Sequence, residues 1–175
     1  TGVGGGIIIG GKLFEGYKGA GAEIGHMVIV AGGNSCTCGR RGCFEAYASA
    51  TALKDMTIRA MQADKNSAMW KGYDLSTVSG KTAFDYADSD LSAKGVVDSY
   101  IGYLACGITN LANIFRPQAI ILGGGVAAQG DKLIKPLQKK LDGEILGGND
   151  RARVVVLTAT LGNLAGSLGA AALVM

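Results

Sequence analysis

Residues 25–47 read GHMVIVAGGNSCTCGRRGCFEAY. The single histidine of the chain, His26, and three of its four cysteines, Cys36, Cys38 and Cys43, fall within 18 residues of this stretch. Their pattern is H-x9-C-x-C-x4-C. Closed structural zinc sites take four ligands, and three thiolates with one imidazole are a common set. Borderline-soft zinc suits thiolate sulfur. Gly39 and Gly42 let the backbone wrap around an ion, and Arg40 and Arg41 offset the negative charge that three thiolates around Zn2+ leave. The other reading of these residues is incidental: three buried thiols and a satisfied core histidine. With every candidate ligand in one loop and no pocket of carboxylates, the pattern points to a closed structural metal site rather than a hydrolytic one with an open position. Glu45 follows directly, where a helix is expected to begin, and an acid there is stabilised by the helix dipole whatever else it does.

The chain around this loop has 175 residues, enough for one domain with a core that needs no disulfides. Apolar residues make up 48% and charged residues 18%, the balance of a soluble globular protein. Net charge is +3 with both signs mixed, so neither nucleic acid nor a membrane surface is expected as a partner. Lys132, Lys135, Lys139 and Lys140 follow helical spacing, as a solvated helix face does; anion steering is the alternative. Cys36 and Cys38 are too close in sequence to bridge easily, and Cys106 sits in an apolar helical run. A reducing cytoplasm fits this usage. No run approaches the ~18 apolar residues of a membrane span, and no signal peptide is recognisable. The first residues, TGVGGG, open inside a glycine loop without a methionine, so the chain is expected to be a piece of a longer protein.

Periodicity predicts an α/β fold with helices on a mixed sheet. Ile7–Ile9 and Lys12–Phe14 form a hairpin around Gly10-Gly11. A glycine-rich loop spans Gly16–Gly25, and His26–Val30 make a short strand. A helix runs from Glu45 to about Ala63, burying Ala50, Leu53 and Ala60. Residues 64–80 are an irregular excursion, and a short helix covers Thr82–Ala87. In 91–115, Val97, Ile101, Leu104, Ile108, Leu111 and Phe115 step by four and three, one face of a long helix. Asp90 caps it and Pro117 ends it, while Gly102, Ala105, Gly107 and Ala112 allow close packing. QAIILGGG (118–125) reads as a buried parallel strand. Asp131 caps a helix to about Leu141, RVVVLTA (153–159) is a second buried strand, and Asn163 opens a last helix to about Leu173.

Two segments of this chain together resemble the paired signatures of the ROK family (repressors, open reading frames and sugar kinases). They are Glu23-Ile24-Gly25-His26 and Cys36-Thr37-Cys38-Gly39-Arg40-Arg41-Gly42-Cys43-Phe44-Glu45. TGVGGG (1–6) resembles the family's phosphate loop, ILGGGV (121–126) its adenosine-side motif, and GNLAGSLGAAAL (162–173) its last helix. The resemblance implies a lobe of the ribonuclease-H-like, actin-like ATPase fold, here the C-terminal sugar- and nucleotide-binding lobe over residues 1–175, with the N-terminal lobe absent. It implies an ATP-dependent hexokinase of glucokinase type, acting in carbohydrate metabolism and glycolysis, with a hexose and ATP as partners, Mg2+ on the nucleotide and structural Zn2+ in the loop. Glu23 and Glu45 would contact sugar hydroxyls. His26 would ligate zinc together with Cys36, Cys38 and Cys43 and face the sugar with its other ring nitrogen. Zinc would then be a brace, holding the loop that carries Glu45 to the segment that carries His26.

The same resemblance implies that Thr1 and Gly2 hold phosphate and that Gly123, Gly124 and Gly125 line the nucleotide. The bland alternatives are a glycine lead-in to the hairpin and an ordinary strand–helix turn. Phosphoryl transfer to a hydroxyl needs a proton acceptor. The family's is an Asp on the other lobe; Asp85, Asp88 and Asp90 lack its context. The 175 residues alone are therefore expected to give no useful turnover. Glucose, at its 6-hydroxyl, is the first candidate acceptor; fructose, mannose, allose and N-acetyl-amino sugars use similar contacts in relatives. A homo-oligomer, and a sheet edge open to another chain, are also expected. Two further function classes stay open: the effector domain of a sugar-sensing ROK transcriptional repressor, and a purely structural zinc-bearing interaction domain.

Overall fold

The structure is a computed structural model that describes residues 2–148, 152–162 and 164–172. Thr1, expected at a phosphate, lies outside the described residues, as do Asn163 and Leu173, the expected ends of the last helix. The chain divides into two compact units, Thr1–Gly107 and Ile108–Met175.

In the first unit, β1 (Ile8–Ile9) pairs antiparallel with β2 (Lys12–Leu13), Ile8 opposite Leu13 and Ile9 opposite Lys12. Gly10 and Gly11 make the turn at φ 59° and 77°. Positive φ at both central positions gives a two-residue turn the twist of the flanking strands. No regular strand forms at 26–30. A 3-10 turn covers Ile24–His26, and only isolated bridges follow, Val28 with Cys43 and Ser35 with Arg41. The cause is a crowded backbone: the Gly42 carbonyl accepts from both the Ile29 and Val30 amides, at 2.9 and 3.2 Å. One acceptor shared by consecutive donors breaks the alternation a ladder requires.

The helix expected over 45–63 is two helices, α1 (Glu45–Ala48) and α2 (Ala50–Ala63). Ser49 between them is extended, at φ −78° and ψ 164°, and its Oγ accepts the Ala52 amide at 3.1 Å. Side-chain capping makes Ser competent to restart a helix. The buried Tyr100 hydroxyl donates to the Ala48 carbonyl at 2.9 Å, satisfying α1's end. Leu53, Thr57 and Met61 form the buried stripe of α2, while Ala50 and Ala60 are only half-buried. The 64–80 excursion holds a 3-10 turn, Ala68–Lys71, with Met69 fully buried. Trp70 Nε1 donates to the carbonyls of Met61 and Asp64 at 3.0 and 3.1 Å. The next helix is α3 (Thr82–Tyr86), followed by α4 (Leu91–Phe115). As expected, Asp90 caps α4: its carboxylate accepts the Ala93 amide at 2.7 Å, and also the Ala68 amide at 2.6 Å. Val97, Ile101, Leu104 and Ile108 are buried, but the expected face runs out at Phe115, which is 41% exposed.

In the second unit, Arg116 follows α4 at φ 44°. Its guanidinium donates to the carbonyls of Leu146, Gly148 and Ala152, at 2.7, 3.2 and 3.1 Å. Strand β3 (Ala119–Leu122) pairs parallel with β4 (Val155–Thr158), Ala119 opposite Val155 through Leu122 opposite Thr158. The expected mixed sheet is thus two separate two-stranded sheets among the described residues, one antiparallel and one parallel. Neither strand is buried on both faces: Ala119 and Ile121 of β3 and Leu157 and Thr158 of β4 are exposed. β3 alternates as a strand with one packed face does, whereas β4 is bare at its last two residues.

Helix α5 (Asp131–Glu144) buries Leu133, Leu137 and Leu141. Asp131 is its first residue rather than its cap, which is Gly130, and it pairs with Lys135 at 2.6 Å. Gln138 reaches the outer edge of β4. Its Oε1 accepts the Val156 amide at 2.8 Å and its Nε2 donates to the Val154 carbonyl at 3.1 Å and to Asp142 Oδ1 at 2.8 Å. Arg153 completes the group with a forked pair to Asp142 at 3.0 and 2.7 Å. Helix α6 (Leu164–Ala172) has no buried residue. Among the described residues, no helix is long and apolar enough to cross a membrane.

Two glycines of α4 test this packing. A methyl group at Gly107 would lie 2.4 Å from the Phe44 ring, whereas one at Gly102 would meet nothing within 4 Å. Helix propensity favours alanine over glycine by about 1 kcal/mol at either position, and overpacking a core costs about 1–3 kcal/mol. Thermal denaturation should show Gly102→Ala stabilising the protein by up to about 1 kcal/mol and Gly107→Ala destabilising it.

Candidate metal centre and its neighbouring acids

His26 ends the 3-10 turn Ile24–His26, Cys43 lies opposite Val28 in an isolated bridge, and Cys36 and Cys38 stand in the loop between. The Cys36 amide donates to the Arg40 carbonyl at 2.9 Å and the Gly39 amide to the Cys36 carbonyl at 3.0 Å, so the loop folds tightly back on itself. The result brings one ligand atom from each of His26, Cys36, Cys38 and Cys43 within 4.8 Å of the others. His26 and Cys36 are half-buried, Cys38 exposed and Cys43 buried. All four cysteines, Cys106 included, are free thiols.

Whether this set fits a tetrahedral metal can be judged from its edges. Thiolate–zinc bonds of about 2.3 Å and imidazole–zinc bonds of about 2.05 Å give a tetrahedron with S–S edges of about 3.8 Å and S–N edges of about 3.6 Å. Cys38 Sγ lies 3.7 Å from Cys43 Sγ, and Cys36 Sγ lies 3.6 Å from His26 Nδ1. The donor set therefore fits. It is Nδ1 that faces the sulfurs, which leaves Nε2 of the same ring for another partner.

The arginines have specific partners in the loop. Arg40 Nη1 donates to the His26 carbonyl at 3.1 Å; Arg41 donates to Ser35 Oγ at 2.9 Å and to the Gly32 carbonyl at 3.4 Å. They lace the loop by hydrogen bonds. Tyr47, which nothing in the sequence pattern singled out, braces the loop's base. Its hydroxyl accepts the Asn34 amide at 2.6 Å, and its ring lies 4.6 Å from that of Tyr103 on α4. Cys36 and Cys43 are shifted in opposite directions. The Cys38 backbone amide holds Cys36 down at about 7, with His26 assisting, while burial pushes Cys43 up to about 11.

Glu45 begins α1 directly behind this cluster and is half-buried. Its Oε2 accepts the Val3 amide at 2.9 Å, and its Oε1 lies 4.0 Å from Cys36 Sγ. Gly2 packs against the same carboxylate: a methyl there would sit 1.8 Å from Oε2. A methyl on Gly25 would sit 1.9 Å from the Val3 carbonyl oxygen. The first glycine loop thus lies on Glu45 and on the turn carrying His26. Glu23 precedes that turn and is exposed, and among the described residues its carboxylate has no hydrogen bond or ion pair.

Gly123, Gly124 and Gly125 belong to the second unit, just past the C-terminal end of β3, where the Ala159 amide donates to the Leu122 carbonyl at 2.8 Å. Gly124 has φ 86°, and methyl groups at Gly124 and Gly125 would meet nothing within 4 Å. Open space beyond the carboxyl ends of parallel strands is the usual ligand position in α/β sheets.

The ROK family model matches residues 1–175. A glucokinase of Halalkalibacterium halodurans is 40% identical over 173 residues, 97% of this chain and 52% of that protein. A xylose repressor of Bacillus spizizenii is 31% identical, covering 100% of this chain and 42% of that protein. The crystal structure of a ROK family glucokinase from Streptomyces griseus, in complex with glucose and AMPPNP, superimposes with a TM-score of 0.90 at 36% identity, over 99% of this chain and 57% of that one. The chain thus spans about half the length of the relatives it matches.

Metal binding has a definite proton signature. Thiolates, not thiols, ligate, so binding releases protons and strengthens as pH rises. Cys43 carries its proton throughout the neutral range; Cys36 carries its own only below about 7. Calorimetry in buffers of different ionisation enthalpy should find one metal ion per chain, with more protons released at pH 6 than at pH 8 and weaker affinity at pH 6.

Proposed function

The chain belongs to the ROK family, and from that premise we propose that it is the sugar- and nucleotide-contacting part of an ATP-dependent hexokinase of glucokinase type. The observation that carries the reading is the juxtaposition of a four-donor Cys/His cluster with the Glu45 carboxylate, one oxygen of which is anchored to a backbone amide. A hexose presents hydroxyls in fixed directions, and rigid charged acceptors recognise them at about 1.5–3 kcal/mol per hydrogen bond. In this reading Glu45, Glu23 and His26 Nε2 contact the sugar, with glucose the first candidate.

His26, Cys36, Cys38 and Cys43 would hold Zn2+, which supplies rigidity and no reacting atom. His26 is then fixed through Nδ1, and its ring orientation becomes a property of the loop. Gly123, Gly124 and Gly125 would admit the nucleotide, whose Mg2+ neutralises charge developing on the phosphates. The carboxylate that accepts the hydroxyl proton is proposed to come from outside these 175 residues. Asp85 is engaged by the Tyr73 hydroxyl at 2.7 Å and by Lys81, and Asp90 is spent on capping. A cytoplasmic setting accords with four free thiols.

A second reading is supported by the full-length match of this chain to part of a xylose repressor: a sugar-sensing effector domain that binds a sugar without phosphorylating it. Titration calorimetry with glucose and a coupled phosphorylation assay on the protein carrying these residues separate the two. The kinase reading expects saturable glucose binding and ATP-dependent phosphorylation. It also expects kcat/KM to fall about 10- to 100-fold in each of Glu23→Gln and Glu45→Gln. Binding without turnover in that protein supports the repressor, and no sugar binding at all removes both.

A further inference from the structure

We infer that the Val3 backbone amide and the bare Cα of Gly2 are positioning groups for Glu45, so that the start of the glycine loop serves the hexose site. The inference rests on the proposed sugar contact of Glu45.

Three observations carry it. The Val3 amide donates to Glu45 Oε2 at 2.9 Å across 42 residues of sequence. A methyl group at Gly2 would overlap that carboxylate, 1.8 Å from Oε2 and 2.7 Å from Cδ. On its other side, the Val3 carbonyl fills the space that a side chain at Gly25 would take, and Gly25 lies in the turn that ends at His26. The Val3 peptide is therefore wedged between the two segments that carry the proposed sugar contacts. Elsewhere in the same loop the contacts differ: a methyl at Gly4 would meet nothing within 4 Å, and one at Gly5 would meet the Ile24 side chain at 2.2 Å rather than a carboxylate. The glycine at position 2 has a steric reason to be glycine, and that reason is Glu45.

A carboxylate with one lone pair engaged by a backbone N–H keeps its other lone pairs for a hydroxyl while losing most of its rotamer freedom. Such pre-organisation is what turns a hydrogen bond into affinity and orientation. Displacing the carboxylate by the width of a methyl group would remove this without altering any sugar-contacting residue.

The test compares Gly2→Ala with Gly4→Ala in the protein carrying these residues, by steady-state kinetics with glucose and ATP varied separately. Gly2→Ala should raise the KM for glucose about tenfold or more, and by a larger factor than it raises the KM for ATP; Gly4→Ala should leave the KM for glucose where it was. A rise in the ATP KM alone for Gly2→Ala, or no change in either, overturns the inference while the sugar reading of Glu45 stands. Wild-type protein that binds no glucose overturns both. Should Gly2→Ala not fold, hydrogen exchange of the Val3 amide in the wild type decides. Protection that increases on adding glucose supports the inference, and an unprotected amide indifferent to glucose overturns it.

Discussion

The convergence of His26 Nδ1 with the sulfurs of Cys36, Cys38 and Cys43 is the constraint on which the first unit is arranged. The loop that supplies these groups has almost no regular secondary structure, only two isolated bridges and a few tight turns. Ordering such a segment costs about 1–2 kcal/mol per residue in backbone entropy alone, and a hydrogen-bonded ladder is not there to offset it. The compensation comes from point contacts: the Tyr47 hydroxyl on the Asn34 amide, Arg40 on the His26 carbonyl, the Gly42 amide on the Asn34 carbonyl. Among these contacts stand four potential metal donors within 4.8 Å of one another. Since Cys43 is followed at once by Phe44 and Glu45, fixing the cluster fixes the first turn of α1, and Phe44 in turn seats against Gly107.

Much of this unit is assembled by backbones brought together where side chains are missing. Gly2, Gly25, Gly42 and Gly107 each face an atom that a methyl group would strike. Close approach of this sort substitutes for ladder pairing. It lets a carboxylate, an imidazole and a loop peptide share a space that bulkier residues would keep open. The glycines at 102, 124 and 125, by contrast, face empty space. Glycine content alone therefore does not separate the packing glycines from those that leave room for a ligand.

The convergence of the Cys/His cluster was legible because its chemistry is scarce: one histidine and three cysteines are crowded into one segment. Helix α4 was legible because a four–three step sustained from Val97 to Phe115, in a run bounded by Asp90 and Pro117, has only one periodic interpretation. The break at Ser49 was not, since one extended residue barely disturbs the apolar pattern on either side. The strand read at 26–30 failed because apolar residues there serve a wrapped loop, and what they pair with is decided by Gly42 on the return leg. The burial of QAIILGGG was overread: an apolar run is compatible with one bare face when a strand has a single ladder neighbour. The link from Val3 to Glu45 joins residues 42 apart through a backbone donor, which no side-chain pattern records.

The amide of Gln138 bonds to the Val156 N–H and the Val154 carbonyl, the two groups that an adjoining strand would use. Chemically it is a single peptide unit borrowed from a helix and laid along β4, with Asp142 and Arg153 keeping it from swinging away. The small parallel sheet is for that reason asymmetric. One margin is already hemmed by a side chain too short to recruit anything further, so lengthening of this sheet by an additional strand has one direction to go, outward past β3.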